Sequence, residues 1–437
     1  MVNFFQNQFT VSLWGDEAFS AVLAQKNLIT IIKVLTKDTS PPLYYFCSHF
    51  WMQIFGSSEL AIRSLSFAFH LGTVVTVFLL AKYLWGRKTA IVAFLLTFFN
   101  PFLFKYAFEG RMYSILTFTT TLSFYFFIKK QWIAYVFVTT TALYSHHFSI
   151  FAIFLQFVWN LVQVVKKPKK NWRLLLPFII IFILYIPWLY TFYYQTMLVK
   201  GGFWLGKPDF NSLINLFRDF VGQNMSDKWK NVVLILVGII LLLRYWDFKK
   251  KSKDVFIVLW LVLPIIITFV VSQLMSSIFF DRYLLYVIPA LILLLSSRRR
   301  KVSLLFLTIL LIIWFWFDWR YFFNPSKKDF GQFSNFVKEN LTKDEFLINY
   351  NGKAHHLWET KFYEIDSPIY IPEGGELPFF VGTALMEKRD VISQIPEDAL
   401  WVGATTSGSV DEIVMPGYTE FESKSFGKLN FVWYQKD

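Results

Sequence analysis

Apolar residues run in long blocks along most of this chain. Ten of them, at about 61–81, 89–104, 112–128, 131–147, 148–165, 174–194, 231–243, 255–273, 283–297 and 302–318, read as membrane spans. A helix needs roughly 20 apolar residues to cross about 30 Å of hydrocarbon. Basic clusters separate the blocks: Arg87-Lys88, Lys129-Lys130, Lys166-Lys167-Pro168-Lys169-Lys170, Lys249-Lys250-Lys251 and Arg298-Arg299-Arg300-Lys301. They fall in alternate loops, which the positive-inside rule places in the cytoplasm. The opposite loops hold Glu109 and Arg111, His146 and His147, residues 195–230, and Asp281 with Arg282. With the 82–88 loop inside, residues 1–60 and everything after 320 are expected outside.

The flanks differ from the middle. Residues 14–60 contain Pro41-Pro42 and an amphipathic stretch, Leu28, Ile29, Ile31, Ile32 and Leu35, suited to short helices lying in the membrane interface. After Asn324-Pro325 the charge rises and Gly and Pro appear. A helix is expected over Phe330–Asn340, then strands at Phe346–Asn349, Pro368–Ile371, Leu400–Val402 and Phe431–Tyr434. The expected fold class is mainly α: a polytopic helical membrane domain over 1–324, with 14–60 as its catalytic outer loop. A small extracytoplasmic α/β domain follows over 325–437. No internal repeat of useful length is visible.

Composition agrees with this layout. The 437 residues are 55% hydrophobic and 17% charged, with a mean hydropathy of +0.44; soluble proteins carry about 25% charged residues. The net charge of +13 brings nucleic acid to mind. Its Lys and Arg, however, sit in short loops between spans, so the charge reflects topology and no nucleic-acid partner is expected. The single cysteine, Cys47, excludes an intramolecular disulfide and most cysteine-based metal sites. Nothing resembles a cleavable signal peptide at the N-terminus.

Candidate chemistry lies in the polar stretches of the outer face. Asp16 and Glu17 stand in Trp14-Gly15-Asp16-Glu17-Ala18-Phe19-Ser20. The plain alternative is a solvated loop pair, but Trp14 and Phe19 would hold the pair at the lipid interface. A carboxylate there can accept a proton from a hydroxyl or help hold a divalent ion. Asp38-Thr39-Ser40-Pro41-Pro42-Leu43-Tyr44-Tyr45 reads as a stiff turn leading into a helix. In Glu109-Gly110-Arg111-Met112-Tyr113 the charged residues are helix caps, or Arg111 meets phosphate through its planar fork while Glu109 orients it or a sugar. Adjacent histidines cannot face one way on a helix, so at most one of His146 and His147 is expected to point into a site. Arg282 pairs with Asp281 or serves a ligand, since an arginine at that depth costs about 2.5–3.5 kcal/mol on insertion scales. Arg63 reads as an i, i+4 partner of Glu59.

Taken in order, Trp-x-Asp-Glu-Ala-x-Ser, Pro-Pro-Leu-Tyr-Tyr and Glu-x-Arg-Met-Tyr resemble the front end of the C-type glycosyltransferases that use polyprenyl-phosphate sugars. This superfamily includes the protein O-mannosyltransferases, the lipid A aminoarabinose transferases and lipopolysaccharide glycosyltransferases. The resemblance covers residues 10–150 motif by motif and extends to 325 by topology. It departs at Ser40, where the family often has histidine. It also implies a transmembrane helix just before the acidic pair, where Val2–Leu13 are too short to span. By resemblance Asp16 is the base, with Glu17 beside it. Asp38, Glu109, Arg111, Tyr113, His146, His147, Arg282 and Tyr283 then fall to donor phosphate and sugar.

The reading that follows is an integral-membrane, inverting glycosyltransferase of the plasma membrane. It would move a hexosyl or pentosyl unit from a polyprenyl-monophosphate donor to an extracytoplasmic glycolipid, polysaccharide or protein. A lipid-linked donor also fits the lack of a Gly-rich nucleotide-binding turn. No cofactor is required, though a divalent cation on Asp16 and Glu17 stays open. Two alternatives remain: a flippase for a lipid-linked saccharide, and a ligase or polymerase that moves whole glycans.

Overall fold

The computed structural model describes residues 6–245, 252–297, 301–341, 345–350 and 354–437. The clusters Lys249-Lys250-Lys251 and Arg298-Arg299-Arg300 lie outside the described residues. The fold is mostly helical. It opens with α1 (Gly15–Ala24), α2 (Leu28–Leu35), α3 (Leu43–Phe55) and the long α4 (Glu59–Trp85). Next come α5 (Arg87–Phe98), α6 (Pro101–Ala107), α7 (Tyr113–Lys129), α8 (Trp132–Ser145) and α9 (Ser149–Lys166). A single turn, α10 (Pro168–Asn171), leads to α11 (Leu176–Lys200), α12 (Phe210–Gly222) and α13 (Asp227–Tyr245). The helical run closes with α14 (Ser252–Leu274), α15 (Ile288–Ser296) and α16 (Lys301–Phe323).

Among the described residues, five helical stretches are long and apolar enough to cross a membrane: Glu59–Trp85, Ser149–Lys166, Pro168–Lys200, Lys253–Leu274 and Leu304–Phe323. A sixth candidate is α5 with α6, bent by 59° between them. The bend has a local cause. Asn100 caps α6 by accepting the Leu103 amide at 3.0 Å, and Pro101 fills the first helical position. Of the other apolar blocks expected as spans, α7 has 17 residues, α8 14 and α15 9, whereas α13 has 19 and opens on the charged Asp227, Lys228 and Lys230.

By packing, the chain divides into two units, Met1–Asp38 with Tyr45–Ile62 and Phe323–Asp437, and Thr39–Tyr44 with Arg63–Phe322. Among the described residues, the regular structure of the second unit is helical. Lys130, in the left-handed conformation at φ 57°, ends α7 and turns the chain into α8. Polar side chains inside this unit bond to one another, since lipid offers them nothing. Ser123 of α7 meets Thr139 of α8 at 2.8 Å, and the Tyr135 hydroxyl donates to Gln156 of α9 at 2.8 Å. Arg63 is fully buried in this unit.

The first unit joins α1, α2 and most of α3 to the C-terminal part of the chain. There α17 (Phe330–Asn340) and α18 (Ala354–Phe362) accompany six strands: β1 (Glu345–Tyr350), β2 (Ile369–Tyr370), β3 (Val391–Ile392), β4 (Trp401–Thr406), β5 (Tyr418–Phe426) and β6 (Leu429–Lys436). Sheet order is β3-β2-β1-β4-β6-β5, parallel from β3 to β4 and antiparallel beyond. Alternation sends Ile348, Val402 and Val432 to one core cluster. Leu347 and Phe431 go to the other, which α17 covers with Phe330 and Phe333.

The helix over 330–340 and four of the strands fall where the pattern placed them. Two elements carried no periodic signal. β5 is an edge strand exposed along most of its length, and α18 buries His356 through Thr360 without a break, so neither alternates. In β4, a Cβ on Gly403 would lie 2.5 Å from the Phe431 ring. Gly403→Ala should therefore destabilise the sheet by about 1–3 kcal/mol through overpacking. Thermal unfolding in lipid nanodiscs would register this as a lower Tm, and a wild-type Tm would refute the packing account.

Candidate active-site groups

In the first unit the acidic pair opens α1, so both carboxylates sit in the first turn, where the helix dipole favours negative charge. They are not alike. Asp16 keeps part of its side chain in solvent, whereas Glu17 is fully buried. Glu17 Oε2 takes Lys327 Nζ at 3.0 Å and the Trp14 amide at 3.3 Å. His355 Nδ1 stands 3.9 Å from Asp16 Oδ1, within ion-pair reach when the ring is protonated but too far for a hydrogen bond.

The surrounding contacts come from residues far along the chain. Lys328 donates to His356 Nε2 at 2.9 Å, leaving His356 Nδ1 to meet Thr405 of β4 at 3.3 Å. Ser12 donates to Asp329 at 2.8 Å, and the Leu13 amide to the Tyr363 hydroxyl at 3.0 Å. That hydroxyl donates in turn to Glu59 at 2.8 Å. Phe19 meets Trp358 edge-on, with ring centroids 5.2 Å apart. Asp38 is also buried in this unit, where its amide closes α2 onto the Val34 carbonyl at 3.1 Å.

Glu359 of α18 is fully buried, and Glu17, Lys327, Lys328 and the Gly15 amide all act on its charge. Its Oε2 has no hydrogen-bond partner among the described residues. Burial pushes this carboxyl up to about 8, and Glu17 adds to the rise, while the two lysines and the Gly15 amide pull the other way. Among the described residues no three His, Cys, Asp or Glu side chains gather as a metal site. What meets Glu17 is the Lys327 ammonium rather than two further ligands.

The second unit holds a cavity of about 350 Å³. Its polar lining includes Ser40, Arg111, His146, His147, Gln195 and Tyr283; its apolar lining includes Phe151, Phe192, Val199, Val271 and Ile278. Arg111 reaches it from a tight connection between α6 and α7, in which its amide donates to the Glu109 carbonyl at 2.7 Å. Tyr113 also lines the cavity. Arg282 lies flat against aromatic faces, 4.5 Å from the Phe280 centroid and 5.3 Å from that of Tyr113. Its backbone amide donates to Asp281 at 2.7 Å. Glu109 is buried.

Both histidines line this cavity, contrary to the one-face expectation. The reason is that α8 stops at Ser145 and His146 is extended, with φ −163° and ψ 137°. His146 Nδ1 accepts the Phe148 amide at 3.1 Å, which puts the ring proton on Nε2. His147 is spoken for on both sides. Its Nε2 donates to Gln195 Oε1 at 2.7 Å, its Nδ1 accepts from Tyr185 at 3.4 Å, and Gln195 donates to the Ser40 carbonyl at 3.5 Å. This chain ties the Pro-Pro turn to α8 and α11.

Sequence reading missed Gln195 and Tyr185 here, and Lys327, Lys328, His355, His356 and Glu359 in the first unit. The pairs Lys327-Lys328 and His355-His356 were the available signals, hidden in a tail of ordinary charge density.

Residues 39–190 match the family model of dolichyl-phosphate-mannose-protein mannosyltransferase. That stretch contains Glu109, Arg111, Tyr113, His146 and His147; Asp16, Glu17 and Arg282 lie outside it. Among curated proteins none matches the sequence. Two crystal structures of ArnT from Cupriavidus metallidurans, one in the apo state and one bound to undecaprenyl phosphate, are similar over nearly the whole length. Each has a TM-score of 0.64 at 12% identity, covering 98% of this chain and 95% and 94% of theirs. At that identity the likeness is one of fold. The chain is a multi-pass membrane protein of ArnT-like fold, and both findings agree with the resemblance carried by its motifs.

The Glu359 carboxyl makes stability depend on pH with a definite sign. Its folded value, about 8, lies above the ordinary 4.5. The folded state therefore keeps a proton that the unfolded state releases, and stability falls as pH rises between those values. Thermal unfolding should show a lower Tm at about pH 9 than at about pH 5, and Glu359→Gln should flatten that slope. An unchanged slope in the variant would assign the effect to other groups.

Proposed function

We propose that this protein is an inverting membrane glycosyltransferase that takes a hexosyl or pentosyl unit from a polyprenyl-monophosphate donor. The acceptor is an extracytoplasmic glycolipid, polysaccharide or protein. The observation that carries this reading is a cavity lined both by polar groups, Arg111 and His146 among them, and by a set of apolar side chains. A lipid phosphate has that same division. One of the similar ArnT structures holds undecaprenyl phosphate, which supports a ligand of this class.

In the reaction the acceptor oxygen attacks the anomeric carbon as the bond to phosphate breaks, inverting the centre. The acceptor proton goes to the Asp16 carboxylate, which is the more exposed of the acidic pair. The leaving polyprenyl phosphate needs positive charge rather than a proton, and Arg111 supplies it through two parallel N–H groups. Arg282, held by rings, adds to the positive potential; Glu109 and Tyr113 hold the connection that aims Arg111. His147 is committed to Gln195 and Tyr185 and so shapes the wall, while His146 offers a donor to phosphate or sugar.

The purified protein in lipid would be incubated with a panel of radiolabelled polyprenyl-phosphate sugars. Wild type should release polyprenyl phosphate, and Asp16→Asn should lower the rate by about 10²–10⁴-fold, the usual contribution of a general base. Arg111→Lys should weaken donor use by losing the fork while keeping the charge. Full activity in Asp16→Asn would sink the assigned base. Binding of donor without consumption by either protein would favour a flippase, and transfer of an intact oligosaccharide would favour a ligase.

A further inference from the structure

A short strap, residues 327–329 just before α17, holds the chain on both sides of Asp16. On one side the Ser12 hydroxyl donates to Asp329 Oδ1 at 2.8 Å and accepts the Gly331 amide at 3.0 Å. On the other, Lys327 Nζ donates to Glu17 Oε2 at 3.0 Å. The strap is itself fixed. The Asp329 amide donates to the Phe426 carbonyl at 3.1 Å, Lys328 bridges to Gly427, and Lys328 Nζ reaches His356 of α18 at 2.9 Å. Gly427 permits this approach: its φ is 60°, and a Cβ there would lie 2.8 Å from the Lys327 carbonyl oxygen.

The first amides of any helix lack partners inside it, and the side chain before the helix commonly accepts one. Before α1 that residue is Trp14, whose side chain can only donate. Glu17, the third residue of the helix, reaches back instead to the Trp14 amide at 3.3 Å, with the same oxygen that takes Lys327. The Glu17 side chain is fully buried, and a buried carboxylate is costly without an opposite charge. We infer that Lys327 is a positioning residue that holds Glu17 inward as the cap of α1, and so leaves Asp16 as the carboxylate turned to solvent. Adjacent in sequence, the two acids are separated in role by which of them the strap engages. The effect of Lys327 on sugar transfer rests on the reading of Asp16 as base; its hold on α1 does not.

Amide hydrogen exchange on the full chain in lipid nanodiscs tests this with Lys327→Met, which removes the ammonium, and Lys327→Arg, which keeps a cation. Exchange over residues 13–19 should rise on the order of tenfold in the methionine variant. It should stay near wild type in the arginine variant, with β1, β4 and β6 protected in both. For any donor that wild type consumes, Lys327→Met should lower kcat about tenfold with donor KM unchanged, and Lys327→Arg should restore it. Wild-type exchange at α1 in Lys327→Met, or equal damage in both variants, overturns the inference. Should Lys327→Met not fold, combining it with Glu17→Gln leaves no charge to pair and an oxygen for the Trp14 amide. That double variant should fold, and its failure overturns the inference as well. A wild type that consumes no donor overturns the transferase reading, while the exchange result still decides the role of Lys327.

Discussion

A charge set against an apolar surround must find an opposite charge, a hydrogen bond or a proton, and both groups of polar residues in this protein answer that constraint. Glu17 has an ammonium and an amide. Glu359 is buried, which pushes its carboxyl up toward the neutral form. Arg282 lies on ring faces, and His147 has a hydrogen bond at each nitrogen. Each solution fixes a side chain in one place, so polar groups that would otherwise be costly become rigid.

That rigidity divides the labour. Residues already satisfied, such as Glu17 and His147, build walls and hold helices. Asp16 is partly exposed, and Arg111 and His146 present donors to a cavity. Asp16 falls in one packing unit, Arg111 and His146 in the other.

The motifs made much of this legible. The Glu109–Tyr113 string placed Arg111 at a helix mouth, and the structure puts it on the cavity wall. Polar alternation located β1, β4 and β6, because strands with one face on each core must alternate. Helix reasoning about His146 and His147 failed because it assumed the helix continued. Glu359 was invisible for another reason: a glutamate in a short helix looks solvated until the helix is buried on all sides. Ten apolar blocks likewise resolved into five long candidate spans and shorter or bent helices, since hydropathy reports burial and not where a proline and an asparagine cap will break a run.

By itself the sequence determined that the chain is mainly helical with long apolar helices and that strands gather after residue 340. Those properties follow from composition and from spacing within a turn or a strand, over which neighbouring residues constrain one another directly. Only the tertiary structure decided that Lys327 reaches Glu17 across 310 positions of chain. It also decided that Gln195 links His147 to the Ser40 carbonyl. Such pairings depend on how whole elements pack, and no local pattern records which distant ammonium will arrive beside a given carboxylate.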